Sequence, residues 1–192
     1  MRSTRPYLIA EIGVNFYDTA RVLSVSPIEA AKMYIDGAAE AGCDCAKFQS
    51  YKAATIVSKN SPAYWDTTKE PTQTQYELFL KHDAFGEEEF AELCEYAHSK
   101  DMDFTSTPFD YASADYLARY VDFYKISSSD ASNLPFVEYI GAKGKPVVVS
   151  VGASYLSEVD EVVRALARVG CSDTSILHCV LSYPTDPVDA NL

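Results

Sequence analysis

The sequence predicts an α/β protein with parallel strands, on three observations. Several short segments are almost continuously apolar, as strands covered on both faces are. The segments between them space their apolar residues as helices do and carry recognisable helix ends. Strand and helix patterns alternate six times along the 192 residues. This order is typical of βα units with right-handed crossovers, and it leaves two architectures open: an open doubly wound sheet or a (β/α)8 barrel.

Six strands are predicted from these patterns. Three of them are continuous apolar runs, at residues 7–13, 146–152 and 175–180. The other three candidates are residues 43–50, 102–109 and 122–127.

The predicted helices have clear ends. Ser26 is a predicted N-cap, with Pro27 in the first helical position and Glu29 completing a capping box, and Gly42 ends this helix. The other predicted helices are an acidic start at 87–89 followed by an apolar stripe to residue 97, a helix at 156–169 closed by glycine, and shorter helices at 112–120 and 134–142. Residues 52–74 form a long insertion after the second strand, and in a barrel this insertion lies on the active-site face.

Composition excludes several classes of protein. With 28 acidic and 16 basic residues, the net charge is −12, and no Lys/Arg run offers a surface for nucleic acid or anionic lipid. No apolar stretch approaches the roughly 18 residues needed to span a bilayer, and no signal-peptide core follows the N-terminus. The five cysteines include no Cys-x-x-Cys pair, so neither a disulfide framework nor a structural zinc site is predicted. A cytoplasmic protein is expected.

Unusual polar side chains occur in and after the predicted strands, where catalytic groups of α/β proteins gather. They are Glu11 in the first strand, Lys47 and Gln49 in the second, Thr107 in the third, Lys125 with the serine run 127–129 and Asp130 at the fourth, Ser150 in the fifth, and His178 and Tyr183 at the sixth.

The two lysines are the most informative of these residues, because a buried ammonium is costly unless a partner offsets its desolvation. Glu11 and Asp130 could neutralise the lysines within the protein. Alternatively, the compensating charge belongs to a ligand, since ammonium groups, small hydroxyls and backbone N–H groups suit a phosphate and a carboxylate. A nucleotide is disfavoured, because no Gly-x-x-x-x-Gly-Lys follows the first strand.

Taken together, six short motifs resemble the N-terminal barrel of the sialic acid synthase (N-acetylneuraminate synthase) family. The resemblance holds in order and spacing and covers nearly the whole chain. The motifs are Ile-Ala-Glu-Ile-Gly-Val-Asn at 9–15, Ala-Lys-Phe-Gln at 46–49, Ser-Thr-Pro-Phe-Asp at 106–110, Tyr-Lys-Ile-Ser-Ser at 124–128, Gly-Lys-Pro-Val-Val at 144–148, and Leu-His-Cys through Tyr-Pro-Thr at 177–185.

The resemblance implies a TIM (β/α)8 barrel that condenses phosphoenolpyruvate with an N-acetylated hexose such as N-acetylmannosamine, releases phosphate and needs a divalent metal, Mn²⁺ or Mg²⁺. It also implies roles for individual residues. Catalytic positions near the reacting carbons and the metal-bound water match Glu11, the expected proton acceptor, and Gln49. The phosphoenolpyruvate-binding positions match Lys47, Thr107, Lys125, Ser128 and Ser150. The sugar-binding positions match Asp130 and Tyr183.

The sequence departs from the family pattern in three places. Residues 16–18 are Phe-Tyr-Asp, where the family has His, a polar residue and Gly. Leu181 replaces a common Ser or Asn on the phosphate side. Asp130 stands where the family usually has Glu, which is one methylene longer. The phosphoenolpyruvate half of the site is therefore better supported than the sugar half.

Only about six βα units are counted, whereas a closed barrel has eight. We therefore expect residues 1–192 to be a partial TIM barrel that is inactive alone, with no metal ligands of its own. In the family, the metal-binding histidines and a small antifreeze-like domain would follow residue 192, and the full-length protein is expected to be a homodimer.

Two other functions stay open. A lysine desolvated in a barrel strand could attack a carbonyl, as in a pyruvate-dependent Schiff-base aldolase. The barrel could also be a non-catalytic module that binds a sugar phosphate.

Overall fold

A computed structural model describes residues 5–182 and 184–191, and it confirms an α/β fold with parallel strands. The strands are β1 (Ile9–Gly13), β2 (Cys45–Ser50), β3 (Asp103–Pro108), β4 (Tyr124–Ile126), β5 (Val147–Ser150) and β6 (Thr174–Leu177). The helices are α1 (Phe16–Leu23), α2 (Pro27–Glu40), α3 (Ala53–Ile56), α4 (Gln75–Leu80), α5 (Glu87–His98), α6 (Tyr111–Leu117), α7 (Leu134–Gly141) and α8 (Leu156–Arg168), and a short 3-10 helix covers Pro187–Asp189.

The described strands form two parallel sheets, in two compact units. The sheet β1-β2-β3 belongs to a first unit that ends at Val121, and the sheet β4-β5-β6 belongs to a second unit that begins at Asp122. Each sheet follows chain order, as successive βα units require. Within the described part of the chain, no helix has the length and apolarity needed to span a bilayer.

Helix α2 begins as the sequence predicts. The Ser26 hydroxyl accepts a hydrogen bond from the Glu29 backbone N–H at 3.3 Å, and the Glu29 carboxylate accepts one from the Ser26 N–H at 2.9 Å. The Ser26 hydroxyl also donates to the Glu29 carboxylate at 2.6 Å, and the two hydrogen bonds that the carboxylate accepts from Ser26 lower the pKa of the Glu29 carboxyl. Ala31 and Ile35 are completely buried on the inner face of the helix. The capping box therefore satisfies N–H groups that the first turn leaves without a helical partner.

Helix α1 is not predicted by the sequence, although it is central to the first unit. Its N-cap, Asn15, makes no side-chain hydrogen bond to the helix, so the usual start signal is missing. Phe16 is buried and stacks on Phe85 with ring centroids 4.9 Å apart, and it meets the Phe48 ring edge-on at 5.8 Å. Tertiary packing of aromatic side chains thus accounts for a helix that local sequence signals do not indicate.

The sixth strand differs from its prediction. It ends at Leu177, before His178 and Cys179, and Ile176 remains 38% exposed. The reason is its place in the described sheet, where β6 is an outer strand paired with β5. The expectation of a strand covered on both faces is therefore wrong for this segment. His178 lies outside the strand, and its Nε2 is 2.8 Å from the carbonyl oxygen of Ala190.

The insertion after β2 is organised around Glu70. The Glu70 carboxylate accepts hydrogen bonds from the Lys81 ammonium at 2.8 Å and from the hydroxyl and backbone N–H of Thr72. The Trp65 indole N–H donates to the Glu70 carbonyl oxygen at 3.1 Å. An antiparallel bridge between Pro62 and Thr74 closes the segment. Glu70 therefore ties the insertion to the end of α4.

The hydrogen bonds from Lys81 and Thr72 lower the pKa of Glu70 from 4.5 to about 2. Because the folded pKa is the lower one, the stabilisation is present above pH 4.5 and is lost as the pH falls towards 2. We expect the fluorescence of Trp65, the single tryptophan, to shift to the red over this range. In Glu70→Gln the Trp65 fluorescence should be shifted to the red already at pH 7. In Glu77→Gln, on α4, it should follow the wild-type pH dependence. An unchanged spectrum in Glu70→Gln would contradict this assignment.

Candidate functional site

In the first unit, the polar face of the site is formed by β2 and β3. The parallel register pairs Lys47 with Thr105 and Gln49 with Thr107, and alternation along each strand places these four side chains on one face. Both threonines are buried. Two adjacent strands therefore present an ammonium, an amide and two hydroxyls side by side.

Strand β1 adds a carboxylate to this face. Glu11 is the register partner of Lys47, and the Glu11 carboxylate forms an ion pair with the Lys47 ammonium. The Lys47 side chain is only 9% exposed, whereas that of Glu11 is 54% exposed. The Gln49 side-chain N–H donates to the other carboxylate oxygen of Glu11 at 3.5 Å. In this structure, then, the charge of Lys47 is neutralised within the chain, by a carboxylate that water can reach.

Glu11→Gln keeps the size of the side chain and removes its charge, which leaves the Lys47 ammonium without its counterion. We expect the free energy of unfolding to fall by about 1–3 kcal/mol, measured by urea denaturation at pH 7. The control is Glu40→Gln at the exposed end of α2, which should change stability by less than about 0.5 kcal/mol. Equal effects of the two substitutions would contradict the importance of the ion pair.

In the second unit, the polar groups follow β4. Lys125 is 6% exposed, and its ammonium donates to the carbonyl oxygen of Ile126 at 2.7 Å. In the turn that follows, the hydroxyls of Ser127 and Ser129 donate to the Asp130 carboxylate at 3.2 and 3.4 Å. Burial raises the pKa of Asp130, although these hydrogen bonds and the charge of Lys125 favour its ionised form. The half-buried carboxyl is thus held in place by its own turn.

Ser128 and Ser150 lie at the ends of neighbouring strands in this unit. The Gly152 backbone N–H donates to the Ser128 Oγ at 3.1 Å, which leaves the hydroxyl proton of Ser128 able to donate to a ligand. Ser150 ends β5 and is buried. A Cβ on Gly152 would lie 2.9 Å from the Cβ of Cys179, so only glycine fits between the ends of β5 and β6.

The structure therefore brings together Glu11, Lys47, Gln49 and Thr107 in the first unit, and places Lys125, Ser128, Asp130 and Ser150 at the strand ends of the second. Tyr183, the other predicted sugar-binding residue, lies outside the described residues. Sequence reasoning did not single out Thr105, which the pairing with Lys47 identifies. It also missed Gly152, whose only signal was its position directly after an apolar strand.

Among residues 5–182 and 184–191, no three His, Cys, Asp or Glu side chains are grouped so that they could hold a metal ion. The divalent metal that the resemblance implies, with ligands expected beyond residue 192, stays a prediction.

Most of the chain is similar in sequence to one protein family. Residues 34–192 match the family described as the NeuB family. The chain belongs to the NeuB family. This confirms the resemblance to sialic acid synthases that the six motifs indicate.

Relatives of this NeuB chain include a protein named as a sugar-acid synthase. The chain is 37% identical to the uncharacterized protein MJ1065 of Methanocaldococcus jannaschii, over 97% of this chain and 49% of that protein. It is 34% identical to the N,N'-diacetyllegionaminic acid synthase of Legionella pneumophila, over 97% of this chain and 52% of that enzyme. This NeuB chain thus spans about half the length of the curated relatives it matches.

A solved structure is similar as well. The crystal structure of the N-acetylneuraminic acid (sialic acid) synthetase from Leptospira borgpetersenii, in complex with citrate, has a TM-score of 0.80 and 31% identity to this NeuB chain. The match covers 96% of this chain and 57% of the synthetase. The described fold is therefore that of the corresponding part of a sialic acid synthetase.

Proposed function

We propose that this chain carries the substrate-binding part of a sialic acid synthase-like enzyme, which condenses phosphoenolpyruvate with N-acetylmannosamine or a related N-acetylated hexose and releases phosphate. The observation that carries the proposal is the nearly buried ammonium of Lys47, which shares a sheet face with two buried threonines and is paired with a carboxylate that remains half exposed. Membership of the NeuB family, whose relatives include sialic acid and legionaminic acid synthases, supports the reaction class.

Phosphoenolpyruvate carries a carboxylate and a phosphate, so it needs cationic and hydroxyl partners. In the first unit we assign Lys47 and Thr107 to its binding. Because Glu11 is accessible to water, an arriving anion can replace the Glu11 carboxylate at the Lys47 ammonium without leaving that carboxylate buried and unpaired. This exchange distinguishes the pair from a purely structural ion pair.

For the second unit, the family resemblance assigns Lys125, Ser128 and Ser150 to phosphoenolpyruvate binding, and this assignment stays a prediction. Lys125 supplies a buried positive charge, and its ammonium donates to the Ile126 carbonyl oxygen. The Ser128 hydroxyl is oriented by the Gly152 N–H, so its proton can be donated to a substrate oxygen. Oriented donors of this kind stabilise negative charge without reorganisation during the reaction.

Carbon–carbon bond formation joins C3 of phosphoenolpyruvate to the aldehyde carbon of the open-chain sugar, whose oxygen takes up a proton. Water then adds to C2 and loses one proton. The bond between C2 and the phosphate oxygen then breaks, the new C2 hydroxyl becomes the carbonyl, and its proton leaves with the phosphate. Glu11, once released from Lys47, is the proton acceptor for this water, and Gln49 holds the Glu11 carboxylate in place.

For the sugar, we propose contact with Asp130, whose carboxyl is already fixed by two serine hydroxyls. Tyr183 remains a prediction of the sequence. We also propose that the six described strands correspond to six of the eight βα units of a TIM barrel. The divalent metal, the homodimer and the cytoplasmic location likewise remain predictions.

The test is phosphoenolpyruvate binding by isothermal titration calorimetry. Lys125→Met removes one buried charge without leaving a void, so we expect the fold to survive and the affinity to fall at least tenfold, corresponding to about 1.4 kcal/mol or more. Lys69→Met is the control, since it removes the same charge from a side chain that is 84% exposed. Unchanged affinity in Lys125→Met, or an equal loss in Lys69→Met, would refute the assignment.

Two further measurements address the alternatives. Borohydride reduction in the presence of pyruvate would leave a covalent adduct on Lys47 or Lys125 in a Schiff-base aldolase, and the proposal predicts no adduct. The full-length protein should release phosphate from phosphoenolpyruvate and N-acetylmannosamine with manganese. Absence of turnover across related amino sugars, with binding retained, would favour a non-catalytic module.

A further inference from the structure

Strand β1 has an irregularity at the residue that supplies the carboxylate. Glu11 pairs with Lys47, but Gly13, two residues later, pairs with Phe48, only one residue later on β2. Strand β1 therefore contains one extra residue at Ile12, as in a β-bulge. Gly13 itself has φ +59°, in the left-handed region that glycine adopts most readily.

The missing side chain of Gly13 matters as much as its backbone. A Cβ on this residue would lie 3.1 Å from the Gln49 Nε2 and 3.2 Å from the Glu11 Oε1. These two atoms are the donor and acceptor of the hydrogen bond that holds the Glu11 carboxylate. A side chain on residue 13 would therefore crowd both this amide and this carboxylate.

We propose that Gly13 is a positioning residue that fixes the Glu11 carboxylate between the ammonium of Lys47 and the amide of Gln49. The inference rests on the proposed function, in which this carboxylate yields Lys47 to the substrate anion and then accepts a proton. A methyl group at position 13 displaces the carboxylate, the amide or both. It thereby misplaces the group that Lys47 must exchange for phosphoenolpyruvate.

The experiment compares Gly13→Ala with Gly42→Ala. Gly42 also has a positive φ, +77°, but a Cβ there would meet no atom within 4 Å. Both substitutions carry the backbone strain of alanine at positive φ, and only Gly13→Ala crowds Glu11 and Gln49. The readouts are phosphoenolpyruvate affinity by calorimetry, and the NMR resonances of the Gln49 side-chain amide and the Glu11 carboxyl carbon.

We expect both variants to lower the denaturation midpoint, and Gly13→Ala to lower it more, because it adds crowding to the backbone strain. Gly13→Ala should bind phosphoenolpyruvate at least tenfold more weakly and should shift the Gln49 and Glu11 resonances, whereas Gly42→Ala should leave affinity and resonances as in wild type. Wild-type affinity in Gly13→Ala, or an equal loss in Gly42→Ala, would overturn the inference.

The two proposals can fail separately. If the wild-type chain binds no phosphoenolpyruvate, the proposed function fails. The positioning role of Gly13 is then tested by the Gln49 and Glu11 resonances alone, and unshifted resonances in Gly13→Ala overturn it. If Gly13→Ala does not fold, combining it with Gln49→Ser removes the group nearest to the new methyl. The double variant should regain the fold without regaining affinity, and a double variant that stays unfolded would contradict the proposed crowding.

Discussion

The first unit depends on how an ammonium is accommodated inside a parallel sheet. Lys47 lies in the middle strand of its sheet, and its side chain is almost inaccessible to water. An unpaired charge there would destabilise the fold by roughly several kcal/mol. The Glu11 carboxylate on the adjacent strand meets this requirement, and it can do so only in the observed register of β1 and β2. The register of β2 and β3 places Thr105 opposite Lys47 and Thr107 opposite Gln49. Strand pairing and site chemistry are therefore determined together.

The second unit accommodates its buried lysine differently. The Lys125 ammonium donates to a backbone carbonyl, and the nearby Asp130 carboxyl is held by two serine hydroxyls and has a pKa raised by burial. The Asp130 carboxyl is fixed by hydrogen bonds within its own turn. In the first unit, the Glu11 carboxylate forms an ion pair directly with the Lys47 ammonium. Both arrangements leave hydroxyl donors at strand ends, and both suit a small molecule that carries carboxylate and phosphate groups.

The sequence predicted most of the fold, because apolar runs and helix caps are local signals. The Ser26 capping box is an example, and it is present as predicted. Helix α1 was missed because aromatic packing, and not a cap, determines it. In the site, the sequence identified Glu11 and Lys47 but left open whether they pair. The role proposed for Gly13 could not be predicted, since residues 7–13 are almost continuously apolar and a one-residue register shift breaks no alternation there.

In the proposed function, Lys47 is held by Glu11 until a substrate anion takes the place of the Glu11 carboxylate. The most direct measurement is a double-mutant cycle with Glu11→Gln and Lys47→Met on the free energy of unfolding, with and without saturating phosphoenolpyruvate. We expect a coupling of about 1–3 kcal/mol in the free chain, falling towards zero when phosphoenolpyruvate is bound. A coupling near zero in the free chain, or one that phosphoenolpyruvate leaves unchanged, would contradict it.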